Sequence, residues 1–159
     1  MRVSILTISD SVAGGKYEDR SGPAVVARCR ELGWETVSVA VLADERIAIE
    51  AFLKKAADAA DSAVDLILTT GGTGVGPRDV TPEATLAAIE RLIPGFAEHM
   101  RAEGRKSTER ALLSRGIAGI RAKTIIVNLP GSPTGAVESL NAIASLLPHA
   151  VDVVHGARH

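Results

Sequence analysis

The chain has 159 residues and a formal net charge of −1; 46% of its residues are hydrophobic, 23% are charged and 3% are aromatic. This length and composition predict one globular domain over residues 1–159 with a sizeable core, and they exclude an intrinsically disordered chain. The chain has a near-zero charge and few aromatic residues, which excludes a broad nucleic-acid surface. It has no long apolar run and no signal-peptide pattern, so we expect a cytoplasmic protein with no membrane partner.

The first part of the chain alternates apolar strands with amphipathic helices. The predicted elements are a strand at Val3–Ser9, a polar loop at Ser11–Gly22, a helix from Pro23 to about Leu32, a strand at Trp34–Leu42 and a helix that follows Asp44. The apolar stripe of that helix consists of Ile47, Phe52, Leu53, Ala56 and Ala60. The length and charge of the polar loop favour a mobile cover over a site.

A glycine-rich stretch between a strand and a helix is the most informative part of the sequence. Leu66–Leu68 is an unbroken apolar run, which predicts a strand that is covered on both faces. The glycines of the following loop are Gly71, Gly72, Gly74 and Gly76. Thr81 is the expected N-cap of the next helix, with Pro82 at its first position. Such a loop is typical of a phosphate site, although a tight turn without a ligand would also need glycines.

This loop matches neither of two common nucleotide-binding motifs. Its outer glycines have the spacing of a P-loop, but Pro77 and Arg78 stand where Lys and Ser or Thr are needed. The dinucleotide fingerprint is G-x-G-x-x-G, whereas this loop has G-x-G-x-G. We therefore expect a different phosphate-binding arrangement.

The second half of the chain continues the alternation of helices and strands. The predicted elements are a helix from Pro82 with Leu86, Ile89 and Leu92 on its apolar face, a short helix from Phe96 to about Ala102, a helical turn at Ala111–Arg115, strands at Ile117–Arg121 and Thr124–Leu129, and a last helix from Pro133. Pro148 lies inside the last helix and predicts a kink or a break. The whole pattern predicts an α/β layered fold with a mainly parallel sheet flanked by helices.

Polar residues follow the predicted strands at one edge of this sheet. Ligands of such folds bind outside the carboxyl ends of the strands. The candidates there are Ser9, Asp10, Asp44, Thr69–Asp79 and Asn128–Ser132. Each segment alone is compatible with an ordinary turn, but their joint placement favours a binding site.

Asp79 and Asp44 are the candidate acids. The carboxylate of Asp79 is suited to a divalent cation that neutralises phosphates, or else it binds nearby backbone amides as a turn residue. Asp44 is either a second metal-facing carboxylate or only a helix N-cap. Asn128 ends a strand, where its amide could read the edge of a heterocycle. The pattern favours Mg²⁺-assisted phosphoryl or nucleotidyl transfer.

The remaining reactive or ionisable residues are expected to have structural roles. Cys29 is predicted to be a small core residue. The histidines have no metal-ligand spacing with Cys29 and are expected on the surface: His99, His149, His155 and His159. Three arginines could contact phosphates but are more typical of solvated surface charges: Arg78, Arg115 and Arg121.

Several segments together resemble the MoaB/Mog family of molybdenum-cofactor biosynthesis proteins, which includes the G domain of gephyrin. In chain order they are LTISD at 6–10, DRSGP at 19–23, TTGGTG at 69–74, RDVTPE at 78–83, PGF at 94–96, LSR at 113–115, AGIR at 118–121 and NLPGSP at 128–133. They cover nearly the whole chain, and the segment from TTGGTG to RDVTPE is highly specific.

The resemblance implies the three-layer molybdopterin-binding fold. It implies an enzyme of adenylyl transfer, in which molybdopterin attacks the α-phosphorus of Mg-ATP to give adenylyl-molybdopterin and pyrophosphate. Asp79 and Asp44 look like the family's catalytic acids, with Mg²⁺ as the cofactor and with the metal-holding residues unassigned. The implied ligand-binding residues are Gly71, Gly72, Thr73, Gly74, Ser9, Asp10, Asn128, Pro130, Gly131 and Ser132.

The resemblance also implies partners. Molybdopterin and ATP are the implied ligands, a trimer or a hexamer is the implied homo-oligomer, and other molybdenum-cofactor enzymes are further candidate partners.

Two features keep other functions open. Glu109 and Arg110 stand where many active relatives carry a proline, and the family contains paralogues with little or no adenylylation activity. A non-catalytic molybdopterin-binding or scaffold protein is therefore the second hypothesis. A nucleotide hydrolase on the same fold is the third, but it needs a water-activating group for which the sequence offers no candidate.

Overall fold

The computed structural model of the protein describes residues 1–59 and 64–157. Its strands are β1 (Arg2–Ile8), β2 (Glu35–Leu42), β3 (Leu66–Thr70), β4 (Arg91–Leu92), β5 (Ala118–Arg121) and β6 (Thr124–Leu129). Its helices are α1 (Asp10–Ala13), α2 (Ser21–Glu31), α3 (Arg46–Asp58), α4 (Thr81–Ala88), α5 (Pro94–Arg105), α6 (Pro133–Ile143) and α7 (Leu147–Val154), and a 3₁₀ helix spans Glu109–Leu113.

The strands form one six-stranded sheet in the order β2-β1-β3-β6-β5-β4. The pairs among β2, β1, β3 and β6 are parallel, whereas β5 is antiparallel to β6 and β4 is antiparallel to β5. Thr70 at the end of β3 is in register with Thr7 of β1 and Leu129 of β6. The carboxyl ends of these three strands therefore meet at one edge, and the predicted mainly parallel α/β fold is confirmed.

Each face of the sheet is covered by its own hydrophobic cluster. Leu66 and Leu68 of β3 belong to a cluster with residues of α2, α5, α6 and α7. Ile67 of the same strand belongs to a second cluster with residues of α3 and α4. Both faces of β3 are thus buried, which explains its unbroken apolar sequence. Cys29 is fully buried in the first cluster, as predicted.

The helix after the glycine loop is shorter than predicted. α4 ends at Ala88, because Ile89 adopts an extended conformation with φ −80° and ψ 159°. Arg91–Leu92 then pair with β5 as β4, a two-residue strand that the sequence did not indicate. Leu86 and Leu92, which were predicted on an apolar face, are 56% and 50% exposed, so that prediction is wrong.

The predicted polar loop at Ser11–Gly22 overlaps two helices. Ser9 accepts a hydrogen bond from the Val12 amide at 3.3 Å and caps α1. Asp19 accepts a hydrogen bond from the Gly22 amide at 3.0 Å, and α2 begins at Ser21, earlier than predicted. Parts of this segment are therefore helical, and its role as a mobile cover stays a prediction.

Other helix boundaries also depart from the prediction. The N-cap of α3 is Glu45, so the alternative in which Asp44 only caps that helix is wrong. Ile47, assigned to the apolar stripe of α3, is 83% exposed. α5 extends to Arg105, past its predicted end. The predicted break in the last helix is confirmed, with Pro148 in the first turn of α7.

The exposed positions predicted for His99, His149 and His155 are confirmed. Ala60, the last residue of the predicted stripe on α3, and His159 lie outside the described residues. Across residues 1–59 and 64–157, no helix has the length and apolar character that crossing a membrane requires.

Candidate active site

Loops at the carboxyl ends of β1, β3 and β6 surround two adjacent clefts. The first cleft has a volume of about 360 Å³, and its lining includes Thr7, Ser9, Asp19, Asp44 and Gly71. The second cleft has a volume of about 560 Å³, and its lining includes Thr73, Gly74, Arg110, Pro130 and Ser132. Gly72, Asp79 and Gly131 line both clefts, which therefore meet at these residues. Volumes of this order suit small-molecule ligands.

The glycine loop runs so close to its neighbours that side chains would not fit. Gly71 has φ +104°, and a Cβ atom there would overlap the carbonyl oxygen of Ile8. Gly72 has φ +64°, and its Cβ would overlap the Thr81 hydroxyl and lie 2.8 Å from Oδ1 of Asp44. Glycine at these positions thus lets the main chain approach both the end of β1 and a candidate catalytic carboxylate.

Thr81 fixes the glycine loop instead of capping α4. Its hydroxyl donates to the carbonyl of Gly71 at 2.9 Å, and its amide donates to the carbonyl of Gly72 at 3.1 Å. The N-cap of α4 is Val80, without a side-chain hydrogen bond, so the predicted capping role of Thr81 is wrong. A threonine before Pro82 is typical of an N-cap, and the sequence alone does not show that Thr81 binds the glycine loop instead.

Asp79 lies at the junction of the two clefts. Its carboxylate accepts a hydrogen bond from the Gly76 amide at 2.8 Å, and its own amide donates to the Gly76 carbonyl at 3.1 Å. This is the turn geometry that the sequence left open as an alternative. The turn does not remove the carboxylate from the site, since Asp79 lines both clefts.

Asp44 presents a partly buried carboxylate to the first cleft. The carboxylate accepts a hydrogen bond from the Asp10 amide at 2.9 Å. Desolvation raises the pKa of Asp44, and the negative charges of Asp10 and Asp79 raise this pKa further, although the hydrogen bond from Asp10 opposes them. A partly desolvated carboxylate beside other carboxylates is typical of a site that receives a cation.

Asp10 is not among the residues that line the first cleft, but it binds Asp44, which is. Its carboxylate accepts the Asp44 amide at 3.0 Å and two hydrogen bonds from Arg78, at 3.0 and 3.1 Å. Arg78 also donates to Glu45 at 2.9 Å. The side-chain hydrogen bond from Arg78 is the largest cause that lowers the pKa of Asp10. These bonds make Asp10 a bridge between the ends of β1 and β2, and its implied ligand contact stays a prediction.

The loop after β6 forms the wall that both clefts share. The carbonyl of Pro130 accepts a hydrogen bond from the Thr70 hydroxyl at 2.7 Å. A Cβ atom on Gly131 would lie 3.2 Å from Cα of Gly71, so the main chains of the two loops are in near contact. Ser132 directly precedes Pro133 and caps α6 by accepting the Gly135 amide at 3.1 Å.

Asn128 is a support of this wall rather than a reader of a heterocycle. Its side chain is buried and donates to the hydroxyl groups of Thr69 and Thr85 at 3.0 and 2.9 Å. Its carbonyl oxygen accepts the Ile117 amide at 3.2 Å. These bonds use both donors of the amide and one acceptor site, so the heterocycle interpretation conflicts with the hydrogen bonding.

Two residues near the clefts were missed as parts of the site. Arg115 donates from Nε to the Gly74 carbonyl and from Nη2 to the Asp79 carbonyl, both at 2.7 Å, and pairs with Glu83. It is therefore not the solvated surface charge that was predicted. Asp19 lines the first cleft and accepts the Thr7 hydroxyl at 2.7 Å. Both residues belong to segments that carry the family resemblance, and that membership is the sequence signal that could have identified them.

The donor set at the junction fits a cation that arrives with a phosphate ligand. Asp44 and Asp79 supply two carboxylates to the first cleft. Among the described residues, no group of three or more His, Cys, Asp or Glu side chains is arranged to hold a metal ion. Mg²⁺ commonly binds to one or two carboxylates and completes its shell with phosphate oxygens and water, so these residues fit Mg²⁺.

Comparison with known proteins agrees with this architecture. A family model described as a probable molybdopterin binding domain matches residues 4–149. The molybdopterin adenylyltransferase of Helicobacter pylori strain J99 is 41% identical over 158 residues, which are 98% of this chain and 89% of that protein. The molybdopterin adenylyltransferase of Escherichia coli K12 is 36% identical over 164 residues, covering 98% of this chain and 79% of that protein.

A solved structure shows the same fold. The molybdopterin biosynthesis enzyme MoaB of Thermus thermophilus superposes with a TM-score of 0.91 at 46% identity, covering 98% of this chain and 97% of that chain. This chain therefore matches the family in sequence over residues 4–149 and matches a solved structure in fold over nearly its whole length. The chain therefore belongs to the molybdopterin-binding domain family.

Proposed function

We propose that the protein is a molybdopterin adenylyltransferase that acts in molybdenum cofactor biosynthesis. The observation that carries this proposal is the junction of the clefts, where Asp79 lines both and Asp44 faces one of them beside Gly72. The names of the relatives in Helicobacter pylori and Escherichia coli support the same activity. The proposed products are adenylyl-molybdopterin and pyrophosphate.

Two adjoining clefts suit a reaction that joins two substrates. One cleft would hold molybdopterin and the other ATP, with the reacting phosphates at the shared residues Gly72, Asp79 and Gly131. Holding both substrates in this arrangement makes the transfer effectively unimolecular. The main-chain amides of a glycine loop are suited to a terminal phosphate.

In the proposed reaction an oxygen of the molybdopterin phosphate forms a bond to the α-phosphorus of ATP. The bond from that phosphorus to the pyrophosphate oxygen breaks, and the electron pair leaves with pyrophosphate. A phosphate oxygen is already ionised at neutral pH, so no strong base is needed. Bound Mg²⁺ would supply neutralisation of the phosphate charges.

The protein's own residues supply placement and charge in this proposal. Asp44 and Asp79 would hold the cation on the side of the first cleft. Thr81 holds the carbonyls of Gly71 and Gly72, which keeps the loop in one conformation. The bridge from Asp10 keeps the Asp44 carboxylate in its position at the end of β2.

The proposal also includes a homo-oligomer, a trimer or a hexamer. Large apolar side chains on the surface support it: Val39 and Val41 on the edge strand β2 are 54% and 38% exposed, and Ile47 on α3 is exposed too. Light scattering on the purified protein should give a mass three or six times that of the chain. A monomer at micromolar concentration contradicts this part. The cytoplasmic location stays a prediction from the sequence.

The test of the function is release of pyrophosphate from molybdopterin, ATP and Mg²⁺, with the pterin product identified by mass spectrometry. Asp79→Asn should lower turnover at least about 100-fold, because it removes a charge but keeps an acceptor for the Gly76 amide. Asp152→Asn, on the exposed side of α7, is the matched control and should keep full turnover. Tight molybdopterin binding without pyrophosphate from the wild type would favour the non-catalytic binding protein instead.

A further inference from the structure

We propose that Arg115 is a positioning residue, which holds the loop so that the Asp79 carboxylate lies at the junction of the two clefts. Glu83 is its necessary partner, because it occupies the guanidinium edge that would otherwise pair with Asp79 or with a substrate phosphate. The kinetic part of this inference rests on the proposed adenylyl transfer, whereas its structural part does not.

Arg115 binds the glycine loop at three points. Its Nε donates to the Gly74 carbonyl at 2.7 Å and its Nη2 donates to the Asp79 carbonyl at 2.7 Å. Its main-chain amide donates to the Thr73 carbonyl at 2.8 Å. The loop from Thr73 to Asp79 is thereby tied to the segment before β5. A guanidinium is planar and rigid, so its two bonds fix the distance between the Gly74 and Asp79 carbonyls.

The bonds from Arg115 hold the two ends of the turn that positions the Asp79 carboxylate. The Asp79 side chain accepts the Gly76 amide at 2.8 Å, and Gly76 lies between the two carbonyls that Arg115 holds. If the ends of this turn separate, the turn opens and the carboxylate is free to rotate. A catalytic group that loses its supporting contacts loses precision of placement, which lowers the rate of a positioned reaction.

Glu83 determines which edge of the guanidinium is used. It pairs with Nη1 of Arg115, and its other oxygen lies 3.4 Å from Nη2. The hydrogen bond between Arg115 and Asp79 is made to the main chain, while the Asp79 carboxylate lines the clefts. Glu83 is in the first turn of α4, the helix that follows the loop, so the loop and its clamp share one rigid support.

Arg121 provides a matched control for an arginine clamp. It donates from Nε and Nη2 to the Asp58 carboxylate at 2.9 and 2.7 Å, and from Nη1 to the Ala88 carbonyl at 2.9 Å. It thus joins a carboxylate and a main-chain carbonyl, as Arg115 does. The Ala88 carbonyl that Arg121 holds lies outside the lining of both clefts, whereas Gly74 and Asp79, whose carbonyls Arg115 holds, line the second cleft. If Arg115 had only a structural role, Arg115→Gln and Arg121→Gln would have similar effects on the glycine loop and on kcat.

The first measurement is amide hydrogen exchange at Gly76 in the wild type, Arg115→Gln and Arg121→Gln, without substrates. We expect exchange at Gly76 to be at least about tenfold faster in Arg115→Gln and unchanged in Arg121→Gln, because local opening is governed by local contacts. Equal protection of Gly76 in all three proteins would overturn the proposal. This measurement needs no activity, so it stands even if the wild type transfers no adenylyl group.

The second measurement is the kinetics of adenylyl transfer in the same variants. Arg115→Gln should lower kcat about 10- to 100-fold with KM for ATP and molybdopterin within about threefold, since it disturbs placement rather than binding. Arg121→Gln should keep kcat within about twofold at a temperature where it is folded. A similar kcat loss in both variants, or a loss confined to KM, would overturn the proposal.

A double variant tests the role of Glu83. Glu83→Gln should lower kcat by itself, because the freed guanidinium edge competes for the Asp79 carboxylate or for phosphate. Arg115→Gln combined with Glu83→Gln should be no slower than Arg115→Gln alone, since residues that act as one unit are not additive. Independent, multiplying losses would contradict the assigned partnership.

Discussion

Asp10 and Asp44 each bind the main chain of the other. The Asp10 amide donates to the Asp44 carboxylate at 2.9 Å, and the Asp44 amide donates to the Asp10 carboxylate at 3.0 Å. These two hydrogen bonds join the residues that follow β1 and β2. The two carboxylates nevertheless differ, since Asp10 is also bound by Arg78 while Asp44 is partly desolvated and near Asp79.

This difference predicts opposite effects of pH on stability for two variants. The raised pKa of Asp44 means that the folded state holds this proton more tightly than the unfolded state, so ionisation of Asp44 costs stability as pH rises above its ordinary value of 3.8. The lowered pKa of Asp10 means that its ionisation adds stability, which is lost as pH falls through the folded-state pKa.

Above pH 3.8, Asp44→Asn should therefore unfold at a higher Tm than the wild type, whereas Asp10→Asn should unfold at a lower Tm. Thermal unfolding of the three proteins across this range measures both trends. Parallel curves for Asp44→Asn and the wild type would mean that the Asp44 carboxylate is not held in an unfavourable environment.

The contact of Gly72 with Asp44 and Thr81 predicts a large cost for one methyl group. Gly72→Ala should destabilise the fold by about 2–4 kcal/mol, since it adds steric overlap to the strain of a positive φ. Gly33→Ala is the control, because Gly33 has φ +74° but its Cβ would meet nothing within 4 Å. It should cost only about 1–2 kcal/mol. Urea unfolding of both variants gives the comparison, and equal costs would contradict the assigned overlap.

The buried amide of Asn128 predicts a stability effect that an exposed asparagine does not have. Asn128→Leu should lower the free energy of unfolding by about 2–4 kcal/mol, because the hydroxyls of Thr69 and Thr85 and the Ile117 amide all lose a partner. Asn141→Leu is the matched control on the surface, where Asn141 accepts one hydrogen bond from Arg28. It should change the free energy by less than about 1 kcal/mol. A small effect of Asn128→Leu would show that water replaces the amide.

The single cysteine predicts slow thiol chemistry in the folded protein. Desolvation of the fully buried Cys29 raises the pKa of its thiol to about 11, so very little thiolate is present at pH 8. Labelling with a disulfide reagent should be more than about 100-fold slower in the native protein than in urea. Rapid labelling without denaturant would mean that the packing between α2 and the sheet opens readily.

The sequence predicted five of the six described strands and the position of the glycine loop beside the clefts, because these depend on local patterns. The apolar run at Leu66–Leu68 and the glycines after it are visible in a short window, and the structure has β3 and the junction of the clefts there. The roles of Thr81 and Arg115 depend on partners distant in the sequence, so composition and spacing favoured the commoner roles of N-cap and surface charge.

The errors on α4 and Asn128 have the same physical origin. A two-residue strand such as β4 has no periodicity, and only its pairing with β5 defines it. Asn128 looked like a ligand contact because it ends a strand, but its neighbours Thr69 and Thr85 come from β3 and α4. Tertiary hydrogen bonds decided both cases, and a single sequence does not show them.

If the two clefts hold the two proposed substrates, the near contact of Gly131 with Gly71 sets the spacing between them. Main-chain atoms form this partition, so its thickness depends on the pairing of β3 with β6 and on the hydrogen bond from the Thr70 hydroxyl to the Pro130 carbonyl. Substitutions can reshape the outer walls, at positions such as Arg110 and Glu138, without altering that spacing. We therefore expect relatives with different ligands to vary at the outer walls and to keep the partition.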